Sequence, residues 1–256
     1  MNPHHSLIHS LLGTALGDSL GLPSEGMSRS RIAKRWKGPL EQRFLFGHGM
    51  ISDDTEHTIL VAQSLLLCGG EPAIFQKRLA GKLRWWFAGL PAGIGLATAK
   101  AIIKLWIGFP PGRNGVFSAG NGPVMRAPIL GVYFANDSGP RASFVKASTR
   151  LRHRGDFSTT VSETIACGGD TDSVAAIAGG IAGAETEAFN PDWLGKLSDR
   201  PYTVAYITRL GSALVESVDG RLVKLPAVAN WQIIPRNIVF FLTVLFHGFR
   251  RIFPPY

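Results

Sequence analysis

Apolar residues recur at helical spacing along most of the chain, and the strict two-residue alternation of a half-buried strand is rare. Residues 5–21 read as a first helix that stops near Gly21 and Pro23. A second helix is predicted over 53–67: Ser52 is a good N-cap, acids occupy the first turn, and Gly69-Gly70 follow the end. Further helices are predicted over 72–88, 93–107, 124–135 and 140–150. Between them, residues 108–122 (GFPPGRNGVFSAGNG) form a loop rich in Gly, Pro and Asn. Residues 171–184, TDSVAAIAGGIAGA, are nearly all small. Glycines weaken an isolated helix by roughly 1 kcal/mol each, but small side chains let a helix approach its neighbours closely, so this segment is predicted to be a buried central helix. Helices over 201–217 and 236–248 complete the pattern. With no internal repeat and no low-complexity linker, residues 1–256 are expected to form a single all-α domain.

Composition narrows the class. An apolar fraction of 45% is that of a globular chain rather than a disordered one. Two cysteines, Cys68 and Cys167, are too few for a disulfide framework or a zinc cluster, which favours a reducing, cytoplasmic setting. The segment MNPHHSLIHS lacks the basic stretch and apolar core of a secretory signal. The longest apolar run, Ile238 to Phe246, is nine residues, so no transmembrane segment is expected. The net charge of +9 suits an anionic partner, but it is dispersed, and no motif points to nucleic acid.

The candidate chemistry lies in two acidic clusters, Ser52-Asp53-Asp54 and Asp170-Thr171-Asp172-Ser173. Each sits where a helix begins. Gly168-Gly169 precede the second, and its two carboxylates follow at i and i+2. Carboxylates at the start of a buried helix need a cation or several donors to offset their desolvation. All the obvious ligands are oxygens, which favours magnesium, calcium or manganese over zinc or copper. Four carboxylates are enough to hold two divalent ions that activate water. An acidic helix cap is the alternative for either cluster taken alone.

Four motifs occur in order: Gly17-Asp18-Ser19-Leu20-Gly21-Leu22-Pro23-Ser24-Glu25, Ser52-Asp53-Asp54-Thr55, Gly120-Asn121-Gly122-Pro123-Val124-Met125-Arg126 and Gly169-Asp170-Thr171-Asp172-Ser173. Together they resemble the ADP-ribosylglycohydrolase family over residues 5–185. The resemblance implies an orthogonal all-α bundle with a binuclear magnesium or manganese centre in a cleft. By motif position it implies that Ser52, Asp53 and Asp54 ligate from one side and Asp170, Asp172 and Ser173 from the other. Glu25 would act on the attacking water or gate the cleft, with Asp53 and Asp172 taking part in catalysis. Gly120, Asn121 and Gly122 would lie against ADP-ribose, and His153 would touch the ligand. The implied reaction is hydrolysis at ribose C1 of an ADP-ribosyl group on a protein or small molecule.

The chain departs from the family pattern at two points. A Thr-His pair reads Arg152-His153 here, and 16 residues (154–169) replace an interval that usually holds several helices. Such a shortening either exposes apolar surface that favours a homodimer or opens the cleft to a bulkier substrate. Two other readings stay open: a non-catalytic, crystallin-like relative, and a two-metal hydrolase of another nucleotide or phosphoester.

Several residues carry alternatives. Asp18 either caps a neighbouring loop or supports the metal shell. Arg126 pairs with a carboxylate or a phosphate. His48 and His57 flank the first acidic motif. Trp85, Trp86 and Trp106 read as core or interface aromatics. The tail, PRNIVFFLTVLFHGFRRIFPPY, reads as a helix packed on the domain or as a membrane-surface element.

Overall fold

The computed structural model describes residues 3–111, 113–116, 124–135 and 157–251. These residues form eleven α-helices and one two-stranded ribbon. The helices are α1 (Pro3–Gly21), α2 (Arg29–Arg35), α3 (Asp53–Leu66), α4 (Pro72–Ala88), α5 (Leu96–Trp106) and α6 (Ala127–Tyr133). They continue with α7 (Phe157–Cys167), α8 (Thr171–Glu185), α9 (Pro191–Gly195), α10 (Val204–Val218) and α11 (Ile233–Arg250). The strands β1 (Met27–Ser28) and β2 (Gly168–Gly169) pair antiparallel. The architecture is all-α, as the periodicity predicts.

Helix α1 is buried nearly all round. Leu7, Leu11, Leu16 and Leu20 join Ile59 of α3 and Ile207, Leu210 and Leu214 of α10 in the main core. Its other face is made of glycines. A Cβ on Gly13 would lie 2.2 Å from the Gly179 carbonyl oxygen, one on Gly17 2.0 Å from that of Ala175, and one on Gly21 2.4 Å from that of Thr171. These glycines recur every four residues, so they share one helical face. They let α1 lie backbone to backbone against α8, and this contact explains why residues 171–184 are so small.

Most predicted helices form within a few residues of their expected ends. Helix α10 starts at Val204 rather than 201 because Thr203 caps it, its hydroxyl accepting from the Tyr206 N–H at 3.1 Å. Helix α5 starts at Leu96 rather than 93, after Gly93 turns the chain with φ +81°. Helix α11 starts three residues early, with Pro235 in its first turn where a missing N–H costs nothing. The short helices α2 and α9 were not anticipated; each is fixed by a local cap, Ser28 and Asn190. Helix α7 was also unanticipated. The predicted helix 140–150 lies outside the described residues.

The C-terminal segment needs a correction. Its continuous apolar run is short, yet Asn230–Arg250 taken whole is long and apolar enough to cross a membrane by length and composition, with mean hydropathy 1.3. One of its faces is nevertheless packed on the body of the protein, through Arg236, Asn237, Phe240 and Thr243.

Candidate metal centre

Three helices converge on one group of acids. Asp18 sits near the end of α1, Asp54 in the first turn of α3 and Asp172 in the first turn of α8. All three are buried. One carboxylate oxygen from each lies within 4.8 Å of the other two. The glycine contact between α1 and α8 is what brings Asp18 up to Asp172. The N-termini of α3 and α8 both point their positive dipole ends at this spot.

Hydrogen bonds hold one side of the cluster. Asp18 Oδ2 accepts from the Ser52 N–H at 2.9 Å, the Thr55 N–H at 3.1 Å and the Thr55 hydroxyl at 2.5 Å. It therefore caps α3 from outside and fixes the acidic motif in place. Asp54 Oδ2 accepts from the hydroxyls of Ser173 at 2.9 Å and Ser52 at 3.2 Å. The remaining oxygens, Asp18 Oδ1, Asp54 Oδ1 and Asp172 Oδ1, are buried with no hydrogen-bond partner among the described residues. Buried polar atoms are nearly always paired, so three bare carboxylate oxygens in one place fit a cation as the missing partner. These three aspartates can hold a metal ion, and an all-oxygen donor set suits a hard one.

The electrostatics agree. Burial, reinforced by Asp54, pushes Asp18 up to about 8. Burial raises Asp54 to about 6, opposed by the Ser173 hydroxyl. Burial, with Glu25 and Asp18 nearby, raises Asp172 to about 10. Burial and the charge of Asp54 push Asp53 up to about 8. Burial and mutual repulsion thus favour the protonated form of each of these acids.

The surroundings are built from both ends of the chain. The β1–β2 ribbon and a bond from the Gly26 N–H to the Gly169 carbonyl (2.7 Å) lay the Glu25 turn beside the start of α8. Glu25 is on the exposed rim; partial burial and the charge of Asp170 raise its carboxyl, and Arg251 opposes this. The Arg251 guanidinium donates to the Glu25 carbonyl at 2.6 Å and to that of Pro23 at 3.2 Å. On the other flank, Arg126 Nη2 lies 3.0 Å from His57 Nδ1. Burial and this cation hold His57 well below its ordinary value, so its ring is neutral. Burial lowers Arg126 from its ordinary value, and the charge of Asp53 opposes this. A bond from Thr58 Oγ1 to the Met125 carbonyl, 3.1 Å, ties the chain just after Gly120-Asn121-Gly122 to α3.

A second buried network lies behind the motif. Arg236 of α11 donates to Glu56 Oε1 at 3.0 Å and to Asp199 Oδ2 at 2.8 Å, and also to the Ile51 carbonyl. The Ile51 N–H donates to Asp199 Oδ2 at 3.0 Å. Arg236 and Asp199 thus grip the peptide groups of the residue just before Ser52. Glu56 also accepts from the Trp86 indole at 2.7 Å.

The structure brings Ser52, Asp54, Asp172 and Ser173 together, with Asp170 at the cap of α8 and Asp53 half-buried on the side facing Arg126. Gly120, Asn121, Gly122 and His153 lie outside the described residues. Asp18 caps the loop through Oδ2, the first role left open for it, and it also stands in the acid cluster that can hold a metal ion. The signal was the run of glycines at 13, 17 and 21, which marks the close contact beside which Asp18 stands. Arg236 and Asp199 were missed. The one available sign was an Arg-Asn pair in an otherwise apolar helix. Trp86 is core, whereas Trp85 and Trp106 are exposed and meet edge to face. His48 is exposed and bonds only locally, to the Phe46 carbonyl.

The family model described as ADP-ribosylglycohydrolase matches residues 2–156 and 147–222. An uncharacterized protein of Archaeoglobus fulgidus is 30% identical over 167 residues, 61% of this chain. The chain spans about half of that relative's length (53%). A solved structure titled ADP-ribosylglycohydrolase-related protein complex shares the fold with a TM-score of 0.62 and 22% identity, over 84% of this chain and 99% of that one. The family model covers most of the chain and the fold is shared, so the chain belongs to the ADP-ribosylglycohydrolase family.

Proposed function

We propose that the protein is a divalent-cation-dependent hydrolase that cleaves the bond at ribose C1 of an ADP-ribosyl group, carried on a protein side chain or a small molecule. The observation that carries this reading is the trio of buried, unpartnered oxygens on Asp18, Asp54 and Asp172. With Ser52, Asp53, Asp170 and Ser173 around them, they would hold two ions, magnesium or manganese. Ions held there supply positive charge toward the ribose hydroxyls and make water more acidic.

The chain's own groups do the rest. Glu25, on the rim and raised by partial burial and by Asp170, would take a proton from the attacking water as general base. Ser52 and Ser173 orient Asp54 by donating to the same oxygen, which leaves the other oxygen facing the cluster. Arg126 offers a cation that suits the diphosphate of ADP-ribose, next to the Gly120-Asn121-Gly122 segment and its backbone amides. His153 is assigned to ligand contact on the family pattern alone.

The test incubates the protein with magnesium or manganese and with ADP-ribosylated arginine and serine substrates, beside O-acetyl-ADP-ribose. The expected result is release of ADP-ribose, or of the deacylated product, that is lost with chelator and in Asp172→Ala. Absence of turnover on all three, together with no ADP-ribose binding in calorimetry, would overturn the reading and leave a structural, crystallin-like role.

A further inference from the structure

Helix α11 has its polarity reversed for a helix on a protein surface. The side chains it turns inward include Arg236, Asn237 and Thr243, while the outward stripe is apolar. Phe241 is 51% exposed, Phe246 60% and Phe249 63%, with Ile234 and Ile238 continuing the stripe one and two turns back. Positions 234, 238, 241, 245 and 249 are spaced by three and four, so they form one face. Just before the helix stands Trp231, 76% exposed. The inward face cannot release the helix to cover this stripe. Arg236 is held by Glu56 and Asp199 in the interior, and Asn237 donates to the Gly89 carbonyl at 2.7 Å.

The charge at the end of this helix is mainly positive, with Glu25 beside Arg251. Arg250 and Arg251 end the helix, and Arg35 of α2 bears on His247 together with them. His247 itself is fixed by a 2.7 Å contact of Nε2 with the Phe44 carbonyl. Helix α2, RSRIAKR, exposes Arg29, Arg31 and Lys34 in addition. Neither α2 nor α11 contains an acidic residue. A second copy of the chain would bring the same cations to the contact and no acids from these helices to meet them. An anionic bilayer surface meets both features: aromatic and aliphatic side chains enter the headgroup boundary and the arginines meet lipid phosphates and serines.

We infer that α11 is a membrane-surface element that docks the protein, through its outward apolar stripe and the adjoining basic helix α2, on anionic lipid. The helix lies along the bilayer surface and does not cross it, because its inner face stays bonded to α3. This inference is independent of the reaction proposed above.

The test is flotation of the full chain with vesicles of phosphatidylcholine alone and of phosphatidylcholine with 30% phosphatidylserine, a mixture on the order of the anionic content of membrane surfaces. Most of the protein is expected to float with the anionic vesicles and at least tenfold less with the neutral ones, by electrostatic attraction to anionic lipid. The variant Phe241→Ser/Phe246→Ser/Phe249→Ser should lose at least tenfold in partitioning. The variant Arg31→Glu/Lys34→Glu, which leaves the stripe intact, should lose the preference for the anionic vesicles. Failure of the wild type to float, or equal flotation of the Phe variant, overturns the inference. So does a stable wild-type dimer in light scattering that the Phe variant converts to monomer while neither protein floats.

Discussion

Helix α3 carries buried acids that meet two different fates within one turn. Glu56, with Asp199 behind it, is closed off: Arg236 pairs with both carboxylates and the Trp86 indole takes another oxygen. Asp54, two residues earlier, shares its surroundings with Asp18 and Asp172, and among the described residues no side chain pairs with the bare oxygens. Both groups sit in the same low-dielectric interior, and both are pushed toward protonation by it. The contrast separates an acid cluster that serves the fold from one that serves a ligand. Where the chain needs neutrality for stability it supplies its own cation, and where it leaves oxygens bare it offers a place that can hold one from solution.

The first way to break this comparison removes the internal cation. Arg236→Ala leaves Glu56 and Asp199 buried and unpaired, and should cost about 3–5 kcal/mol in urea denaturation. Arg236→Lys should recover part of this, since one ammonium cannot reach both carboxylates and the Ile51 carbonyl as the guanidinium fork does. A loss under about 1 kcal/mol for Arg236→Ala would mean that the network is not the closed system described.

The second enforces separation of the two helices. Gly17→Ala places a methyl 2.0 Å from the Ala175 carbonyl oxygen, so α1 and α8 must move apart. A cost of about 1–3 kcal/mol is expected, with weakened manganese binding because Asp18 and Asp172 ride on those helices. Gly81→Ala on α4 is the control: a Cβ there meets nothing within 4 Å, and the change should stabilise by about 0.4–1 kcal/mol. If Gly17→Ala behaves like the control, the close packing is not what brings the acids together.

The third uses pH. Asp54 at about 6 and Asp18 at about 8 lie above the value of an unfolded aspartate, about 3.9. The folded chain therefore binds more protons than the unfolded one between those values. The stability that these acids contribute to the metal-free protein is full below about pH 4 and falls as pH rises toward 8. Urea midpoints in chelator at pH 5 and pH 8 should show the lower value at pH 8. Stabilisation by added manganese should grow over the same range, because protons and metal compete for the same oxygens.

Much of this was legible in the sequence because the signals are local. Ser52 before two acids, Gly168-Gly169 before two more, and a run of small residues after them specify caps, turns and a close helix contact within a few positions. Helix 72–88 is observed over its predicted range because Pro72 opens it and Gly89 follows its end. What escaped depends on distance. Asp199 and Arg236 are 37 residues apart in sequence and meet a peptide group near residue 51, and nothing near either position announces that contact. Helices α2 and α9, seven and five residues long, are too short for periodicity to register. Asp18 was ambiguous because its two oxygens do different things.

The measurement that bears most directly on the account is manganese binding by the full chain, followed by calorimetry and by the shift in unfolding midpoint, with Asp54→Asn and Asp172→Asn beside the wild type. The account predicts saturable binding to the wild type, a stabilisation of about 2.7 kcal/mol at one hundred times the dissociation constant, and loss of both in each variant. A wild type that manganese and magnesium leave unchanged, or Asn variants that bind as it does, would contradict the assignment of Asp18, Asp54 and Asp172 as a metal centre.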